Sequence, residues 1–402
     1  MLISIAFILL LGMFLGWVCK KIRFPSLFGM IITGIILGPY VCNFIDPSIL
    51  IISSELRRIA LIIILLRAGL SLDINDLKKV GRPAVLMCFV PACFEILGMV
   101  ILAPVLLGVS RLDAAIMGAV VAAVSPAVIV PKMLKLMEEG YGTKQSIPQL
   151  ILAGASVDDV FVIVIFSTFT GIAKGDGMSV RSIVNIPLSI AVGVIIGFIA
   201  GIVMAKFFEK IHIRDTVKVM ILLSLSFVMV TLEDDFASVV PFAALISVMC
   251  MGISLQRKRE AVAVRLSSKF NKMWVMAEIV LFVLVGATLD LNNTLAAGAM
   301  AIVLIFGVLL FRMLGVFVCL LRTKLTGQER LFCMIAYTPK ATVQAAIGGL
   351  PLAMGLSCGN IVLTVSVLAI LITAPLGAFA IDLTYKKLLQ RQKFDKTPSS
   401  ML

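Results

Sequence analysis

The chain has 402 residues, of which 61% are apolar and only 14% are charged, and its formal net charge is +13. With a mean hydropathy of +1.13, this composition excludes an ordinary soluble domain and predicts an all-α polytopic membrane protein. The charged residues cluster between apolar runs, so the positive balance indicates membrane topology and contact with anionic lipids, and nucleic acid is excluded as a partner.

Thirteen apolar stretches of roughly 17–25 residues are each long enough to cross the hydrocarbon core of a bilayer. The predicted spans are 2–19, 27–42, 51–72, 83–107, 114–137, 147–172, 183–207, 217–234, 237–254, 273–291, 296–320, 331–354 and 360–382. The first span lacks the basic start and the cleavage site of a signal peptide, which predicts that it is retained. The short loops leave no room for a soluble domain.

The basic residues of the loops predict the orientation of the spans. Lys and Arg are concentrated in the odd-numbered loops and in the tail, whereas the even-numbered loops hold only Arg111, Lys174 and Arg181. Because basic loop residues favour the cytoplasm, this asymmetry requires an odd number of spans. We therefore expect an integral protein of a bacterial plasma membrane, with the N-terminus outside and the C-terminus in the cytoplasm.

Glycines recur at four-residue spacing in three of the predicted spans. They are Gly12 and Gly16; Gly34 and Gly38; and Gly193, Gly197 and Gly201. Such spacing permits close helix contact, either within one protomer or at the seam of a homodimer.

Short motifs recur along the chain at a nearly constant offset. Residues 69–75 resemble residues 286–292, and residues 94–98 resemble residues 311–315, both at an offset of 217. A third match relates Ser125-Pro-Ala-Val to Thr338-Pro-Lys-Ala. Seven span positions separate the two copies, and seven is odd, so the pattern predicts an inverted-topology repeat of the kind found in secondary transporters.

A proline lies in the middle of one span in each copy of the repeat. Pro126 and Pro339 occupy matching places, and each removes a helix hydrogen bond. Free helix ends at bilayer depth are tolerated only beside a cavity or ions, so we predict two broken helices that cross there. Thr338 and Gln344 belong to the predicted crossing; an ordinary proline kink is the alternative.

Two adjacent carboxylates, Asp158 and Asp159, are the only charges between Ile147 and Ile172. A charge at bilayer depth costs at least ~2.5–3.5 kcal/mol, so the pair predicts a visiting cation. Consecutive residues are about 100° apart around a helix, so they cannot face the same partner. One can pair with Lys340, the only charge between residues 331 and 381, while the other faces a cavity.

An unpaired buried carboxylate can hold either a proton or a small hard cation, but hardly both, and this competition is the minimum needed for exchange. Hard cations prefer oxygen ligands, which makes Ser125 and Ser156 candidate neutral ligands of Na⁺ or Li⁺ beside the carboxylate that faces the cavity. A salt-bridge cluster without turnover is the alternative. His212 is the only histidine and falls in a predicted loop, so carboxylates and lysine must carry the proton chemistry.

Further charges lie within the predicted spans. Glu95 and Arg312 occupy equivalent positions of the two repeats and predict a buried ion pair near the pseudo-two-fold axis, either structural or involved in ion coupling. For Arg57, Arg58 and Arg67 in the third span, snorkelling or structural pairing is the expected role.

At these residues the sequence resembles the cation:proton antiporter superfamily. GMIITGIILGPYV resembles its early GxxLGP helix, and AAVSPAVIVPKM, GYGTKQSIPQLILAGASVDDV and TPKATVQAAIG resemble sodium/proton antiporters of the NHA type, related to the NhaA and NapA types. The resemblance covers essentially the whole chain. Related families carry Thr-Asp where this chain has Ser125-Pro126, which leaves the choice among Na⁺, Li⁺ and K⁺ open.

The resemblance implies a thirteen-helix fold in which a six-helix core moves like an elevator against a dimerisation domain. It implies that Asp159 binds the ion and the proton, that Asp158 pairs with Lys340, and that Glu95 and Arg312 form a buried pair. The expected units of this single membrane transporter, residues 1–402, are repeat one (51–172), repeat two (273–382), the core (83–172 plus 296–382), the scaffold (1–72 plus 183–291) and the tail (383–402).

The predicted function is exchange of Na⁺ or Li⁺ for H⁺ across a membrane by a homodimer without a cofactor. The alternatives are K⁺/H⁺ exchange on the same fold, a sodium-coupled organic-anion symporter and a channel. An enzyme is not expected, because the sequence shows neither a metal-ligand cluster nor a nucleophile–base set. If Lys340 gives up its proton when Asp158 is exposed, two protons could exchange for one Na⁺; if it stays charged, exchange is one for one.

Overall fold

The computed structural model describes residues 1–22, 24–72, 81–176, 180–211, 213–236, 242–289 and 291–392. Within these ranges the chain is helical apart from turns and one isolated β-bridge between Tyr141 and Arg391. His212, most of the tail and part of the first pair of repeat motifs lie outside the described residues.

The helices are named in chain order. They are α1 (Leu2–Lys21), α2 (Ser26–Leu37), α3 (Pro47–Ile51), α4 (Ser53–Ser71), α5 (Arg82–Met87), α6 (Val90–Leu107), α7 (Arg111–Val121), α8 (Pro126–Glu139), α9 (Ile147–Gly171), α10 (Val180–Lys210), α11 (Asp215–Phe236), α12 (Ala244–Lys258), α13 (Glu260–Ala287), α14 (Leu291–Cys319), α15 (Gly327–Ala336), α16 (Thr342–Ile347), α17 (Leu350–Ala353) and α18 (Gly359–Leu388). A 3₁₀ turn (Thr143–Gln145) precedes α9, and a π-helical turn (Ile172–Asp176) follows it.

Nine helical segments of the described residues are long and apolar enough to cross a membrane. They are Leu2–Lys21, Arg82–Leu107, Arg111–Glu139, Ile147–Lys174, Leu188–Lys210, Asp215–Glu233, Glu260–Ala287, Gly298–Cys319 and Gly359–Leu388. The other predicted spans correspond to shorter helices, such as α2 and α12, or to α4, which carries four charges. The predicted count of thirteen therefore stays a prediction.

Two of the predicted spans, 114–137 and 331–354, are interrupted at the prolines that the sequence pointed to. Helix α7 ends at Val121 and α8 begins at Pro126, after Ser125 in an extended conformation with φ −89° and ψ 109°. Proline favours an extended residue before it and is well tolerated at the first helical position, so a new helix starts there. Similarly, α15 ends at Ala336 and α16 begins only at Thr342, with Pro339 between them.

Helices α6 and α14 pack against each other through equivalent positions of the sequence repeat. A Cβ atom added at Gly98 would lie 2.6 Å from Cγ of Phe311, and one added at Gly315 would lie 3.1 Å from Cβ of Phe94. Phe94 and Phe311 are themselves equivalent, so each phenylalanine fills the space that the glycine of the other copy leaves open. Glu95 and Arg312 directly follow the two phenylalanines, so this reciprocal contact brings them next to each other.

Substituting alanine for Gly98 is expected to lower the free energy of unfolding by about 1–3 kcal/mol, because the methyl group would overlap the inner atoms of the Phe311 ring. The melting temperature of the detergent-solubilised protein measures this effect. Gly298→Ala is the matched control, since its methyl group would meet no atom within 4 Å. Equal melting temperatures for the two variants would contradict the packing described here.

The glycines of α10 are covered by α12 of the same chain. Cβ atoms added at Gly193 and Gly197 would lie 2.6 Å and 2.4 Å from the carbonyl oxygens of Ala243 and Ser247. The hydroxyl of Ser247 donates a hydrogen bond of 2.6 Å to the carbonyl of Gly193. Close contact within one protomer, one of the two expected uses of this spacing, therefore accounts for these glycines.

Candidate functional site

The adjacent carboxylates of α9 face different surroundings. Asp158 is fully buried, whereas Asp159 retains 5% of its surface and lines a cavity of about 340 Å³. The angle of about 100° between consecutive helical residues separates them in this way. One carboxylate is thus built into the protein interior, and the other lies at the edge of a cavity.

The buried carboxylate belongs to a cluster of two acids and two bases. Nη2 of Arg312 lies 2.7 Å from Oδ2 of Asp158, and Nη1 of Arg312 lies 2.9 Å from Oε2 of Glu95. Nζ of Lys340 lies 2.5 Å from the same oxygen of Glu95. All four side chains are fully buried, and their formal charges balance. Since an unpaired buried charge is strongly destabilising, the cluster depends on every member.

The pairing differs from the one that the resemblance implied. Lys340 forms its ion pair with Glu95, and Asp158 forms its ion pair with Arg312. The packing of α6 on α14 explains the difference, because it places Glu95 between the two bases. Glu95 and Arg312, the equivalent positions of the repeat, do meet.

Carbonyl groups at the interrupted end of α7 receive hydrogen bonds from the second repeat. Nε2 of Gln344 donates to the carbonyl oxygens of Val121 and Ala123 at 3.0 Å and 2.8 Å, and Arg312 donates to the carbonyl of Ala122. The last carbonyls of a helix have no partner within the helix, and at bilayer depth they must find one elsewhere. Gln344 and Arg312 therefore stabilise the interruption.

The N–H groups at the same interruption are also satisfied across the fold. Val124 donates its backbone N–H to Oδ2 of Asp158 at 2.9 Å, and Ser125 donates its backbone N–H to the carbonyl of Pro339 at 2.8 Å. The second of these bonds joins the two interrupted segments directly. These two hydrogen bonds fix the position of the backbone around Pro126 and Pro339 relative to helix α9.

Several buried oxygen atoms of the carboxylate pair and of the two interrupted segments have no hydrogen-bond partner among the described residues. They are Oδ1 of Asp158, Oδ1 of Asp159, Oγ of Ser125, Oγ1 of Thr342 and Oε1 of Gln344. Buried polar atoms are normally satisfied, so this group of oxygens is unusual in a membrane protein. Carboxylate, hydroxyl and amide oxygens are the ligands that hard cations prefer.

The remaining predicted site residues lie in different places. Pro126 lines the cavity of Asp159. Thr338 does not: its hydroxyl donates to the carbonyl of Ile335 at 2.8 Å, and the residue lines a second cavity of about 250 Å³. The side chain of Ser156 lies outside the described part of the structure.

Sequence reasoning missed several polar residues around Asp159. Arg67, expected to snorkel or pair structurally, lines the cavity together with Trp274 and Glu278. Glu278 is the only charged residue between Lys272 and Asp290, and that isolation was an available signal. Sequence reasoning also missed Thr373, which lines the second cavity with Thr338; its hydroxyl accepts a hydrogen bond of 2.9 Å from the backbone N–H of Lys340.

Comparison with protein-family models matches residues 5–387 to the family described as "Sodium/hydrogen exchanger, transmembrane". The chain belongs to this family. Among its relatives, human sodium/hydrogen exchanger 9B2 is 33% identical over 383 residues, which cover 91% of this chain and 70% of the relative. Human sodium/hydrogen exchanger 9B1 is 28% identical over 382 residues, which cover 91% of this chain and 73% of the relative.

A solved structure shows the same fold. The sodium proton antiporter MjNhaP1 from Methanocaldococcus jannaschii, determined at pH 8, superposes with a TM-score of 0.84 at 20% identity, covering 96% of this chain and 97% of that one. The family match and the relatives make this exchanger a transmembrane cation/proton antiporter, and its described residues are helical. The naming of its relatives as exchangers fits the expectation that it is not an enzyme. The two exchanger relatives are human proteins and give no support for a bacterial location, so the bacterial plasma membrane stays a prediction.

Proposed function

We propose that this exchanger carries Na⁺ or Li⁺ in one direction and H⁺ in the other, and that both bind at Asp159. One observation carries the proposal: Asp159 lines the cavity and has a buried carboxylate oxygen that accepts no hydrogen bond from the described residues, whereas Asp158 and Glu95 are ion-paired. A carboxylate in this position can be neutralised by a proton or by a cation, and occupancy by one excludes the other.

The oxygen atoms around Asp159 support a small alkali cation as the substrate. Asp159 and Ser125 carry oxygens without a protein partner, and Pro126, which follows Ser125, also lines the cavity. A compact ion with oxygen ligands suits this set better than a soft metal, which prefers sulfur. Na⁺ and Li⁺ are therefore the proposed substrates, with K⁺ as the alternative on the same fold.

The walls of the cavity support an elevator-type movement. Asp159, Pro126, Ala127, Val130 and Pro131 come from the proposed core, 83–172 plus 296–382. The other lining residues come from the proposed scaffold, 1–72 plus 183–291; they are Ser26, Ile64, Leu65, Arg67, Ala68, Ser71, Trp274 and Glu278. Sliding of the core past the scaffold would carry Asp159 from one side of the membrane to the other.

The finer architecture belongs to the same proposal. We infer thirteen spans, two crossed interrupted helices and a homodimer, with the N-terminus outside and the C-terminus in the cytoplasm. The asymmetry of basic residues between alternate loops supports the orientation. In this orientation the cavity lies toward the cytoplasm, because its lining includes Ser71 at the inner end of α4 and Ser26 at the inner start of α2.

Proton flux in proteoliposomes tests the substrate assignment. With an imposed pH gradient, Na⁺ and Li⁺ are expected to dissipate the gradient, and choline is expected to have no effect. A response to K⁺ alone would move the assignment to K⁺/H⁺ exchange. If no cation dissipates the pH gradient, in protein that elutes as a single folded species, the proposal is contradicted.

Lys340→Met is expected to lower the free energy of unfolding by about 1–3 kcal/mol and to leave substantial cation binding. The substitution removes the partner of Glu95 at 2.5 Å but leaves Arg312 beside both acids. Melting temperature and the stabilisation produced by added Na⁺ measure the two effects separately.

Two variants serve as controls for Lys340. Lys135→Met removes an exposed ion pair with Glu139 and is expected to change neither quantity. Lys340→Met combined with Glu95→Gln should regain part of the lost stability, because fewer charges remain unpaired. Normal stability of Lys340→Met with complete loss of Na⁺ stabilisation would contradict the structural role of the Lys340–Glu95 pair.

A further inference from the structure

The cavity of Asp159 contains two more charged residues, both on the opposite wall. Arg67 lies on α4, and Glu278 lies on α13. Among the described residues that line the cavity, these two and Asp159 are the charged ones. Charged side chains within membrane-spanning helices are costly and generally mark an ion pathway or a pairing.

The two side chains carry opposite charges, line the same cavity and lie within electrostatic range of each other. Trp274, one turn earlier than Glu278 on the same helix, lines the cavity with them. With both charges present, this wall is neutral overall.

The packing of helix α4 against helix α13 does not require this charge pair. Helices α4 and α13 contact each other extensively, and both contribute fully buried apolar side chains to the same core, including Leu66 and Leu281. Arg67 and Glu278 lie outside that apolar core and line the cavity that Asp159 also lines.

We propose that the Arg67–Glu278 pair sets the apparent cation affinity of the Asp159 cavity. Glu278 neutralises Arg67, so an arriving cation does not meet a net positive wall. Glu278 thus acts through Arg67, by neutralising its charge, and neither residue takes part in the exchange of protons. The inference rests on the proposed function, because it takes Asp159 as the cation-binding carboxylate.

Opposite shifts in the apparent KM for Na⁺ test the proposal in proteoliposomes. Glu278→Gln leaves one uncompensated positive charge facing the cavity, and KM is expected to rise by about tenfold. Arg67→Gln leaves one uncompensated negative charge, and KM is expected to fall. The double variant restores a neutral wall and should return KM to within about threefold of the wild-type value.

Charge-conserving variants separate the electrostatic role from a structural one. Glu278→Asp and Arg67→Lys keep the charges and should keep KM near the wild-type value. Glu209→Gln removes the partner of Arg259 in a surface pair at 3.2 Å and should leave KM unchanged.

Two outcomes would overturn the inference in distinguishable ways. An active wild type whose two single variants shift KM in the same direction, or not at all, would overturn this inference alone. If the wild type shows no proton flux with Na⁺, Li⁺ or K⁺, the proposed function is overturned, and this inference with it. Analytical size exclusion establishes that each variant is folded before its KM is measured.

Discussion

Replacing Asp159 with asparagine is expected to abolish cation-driven proton flux, reducing it to the level of empty liposomes. Asparagine keeps the size of the side chain but removes both the titratable proton and the negative charge that binds the cation. Neither of the two buried acids can substitute, because Asp158 and Glu95 already hold Arg312 and Lys340. Glu278, on the opposite wall of the cavity, faces Arg67. The measurement is dissipation of a pH gradient by Na⁺ or Li⁺ in proteoliposomes.

The same substitution should leave the fold intact, in contrast to most losses of a buried charge. Asp159 makes no ion pair among the described residues, so its removal leaves no base unpaired. We therefore expect an unchanged or higher melting temperature for Asp159→Asn, together with loss of the stabilisation that bound Na⁺ gives to the wild type.

Asp382→Asn is the matched control for Asp159→Asn, since Asp382 is a half-exposed carboxylate that pairs with Lys132. It should retain full flux. Substantial Na⁺-driven proton flux in Asp159→Asn, at normal expression and folding, would reject Asp159 as the exchanging carboxylate.

Replacing Arg312 with glutamine is expected to lower the free energy of unfolding by about 3–5 kcal/mol or more, which is enough to prevent stable folding. The guanidinium contacts Asp158 at 2.7 Å and Glu95 at 2.9 Å, and its Nε donates to the carbonyl of Tyr337 at 2.7 Å. Its loss leaves two buried carboxylates with one lysine between them. It also removes a donor to the carbonyl of Ala122 at the interrupted end of α7.

Thermal unfolding in detergent measures this effect, and an exposed arginine provides the control. Arg265 pairs with Asp215 at 2.9 Å but is half exposed, so Arg265→Gln should cost at most about 1 kcal/mol. Arg312→Lys should be intermediate, because lysine restores the charge but not the planar fork of donors. Equal stability of Arg312→Gln and Arg265→Gln would show that the buried cluster does not hold the two repeats together.

The sequence alone was sufficient to predict the class of protein and part of the site. The apolar composition requires membrane-spanning helices, because a bilayer leaves few other ways to satisfy the backbone. The isolation of Asp158 and Asp159 in an apolar stretch singled them out, since such charges are rarely kept without a function. The constant offset between repeat motifs predicted that Glu95 and Arg312 would meet, and the structure places them 2.9 Å apart.

Only the tertiary structure decided which acid pairs with which base. Helical periodicity gives the direction of a side chain around its own axis, but not the helix that packs there. Lys340 and Glu95 are separated by 245 positions, and their contact depends on how α6, α14 and the segment before α16 pack. For the same reason, the sequence did not predict that Arg67 and Glu278 lie opposite Asp159. Helices that are remote in sequence enclose their common cavity.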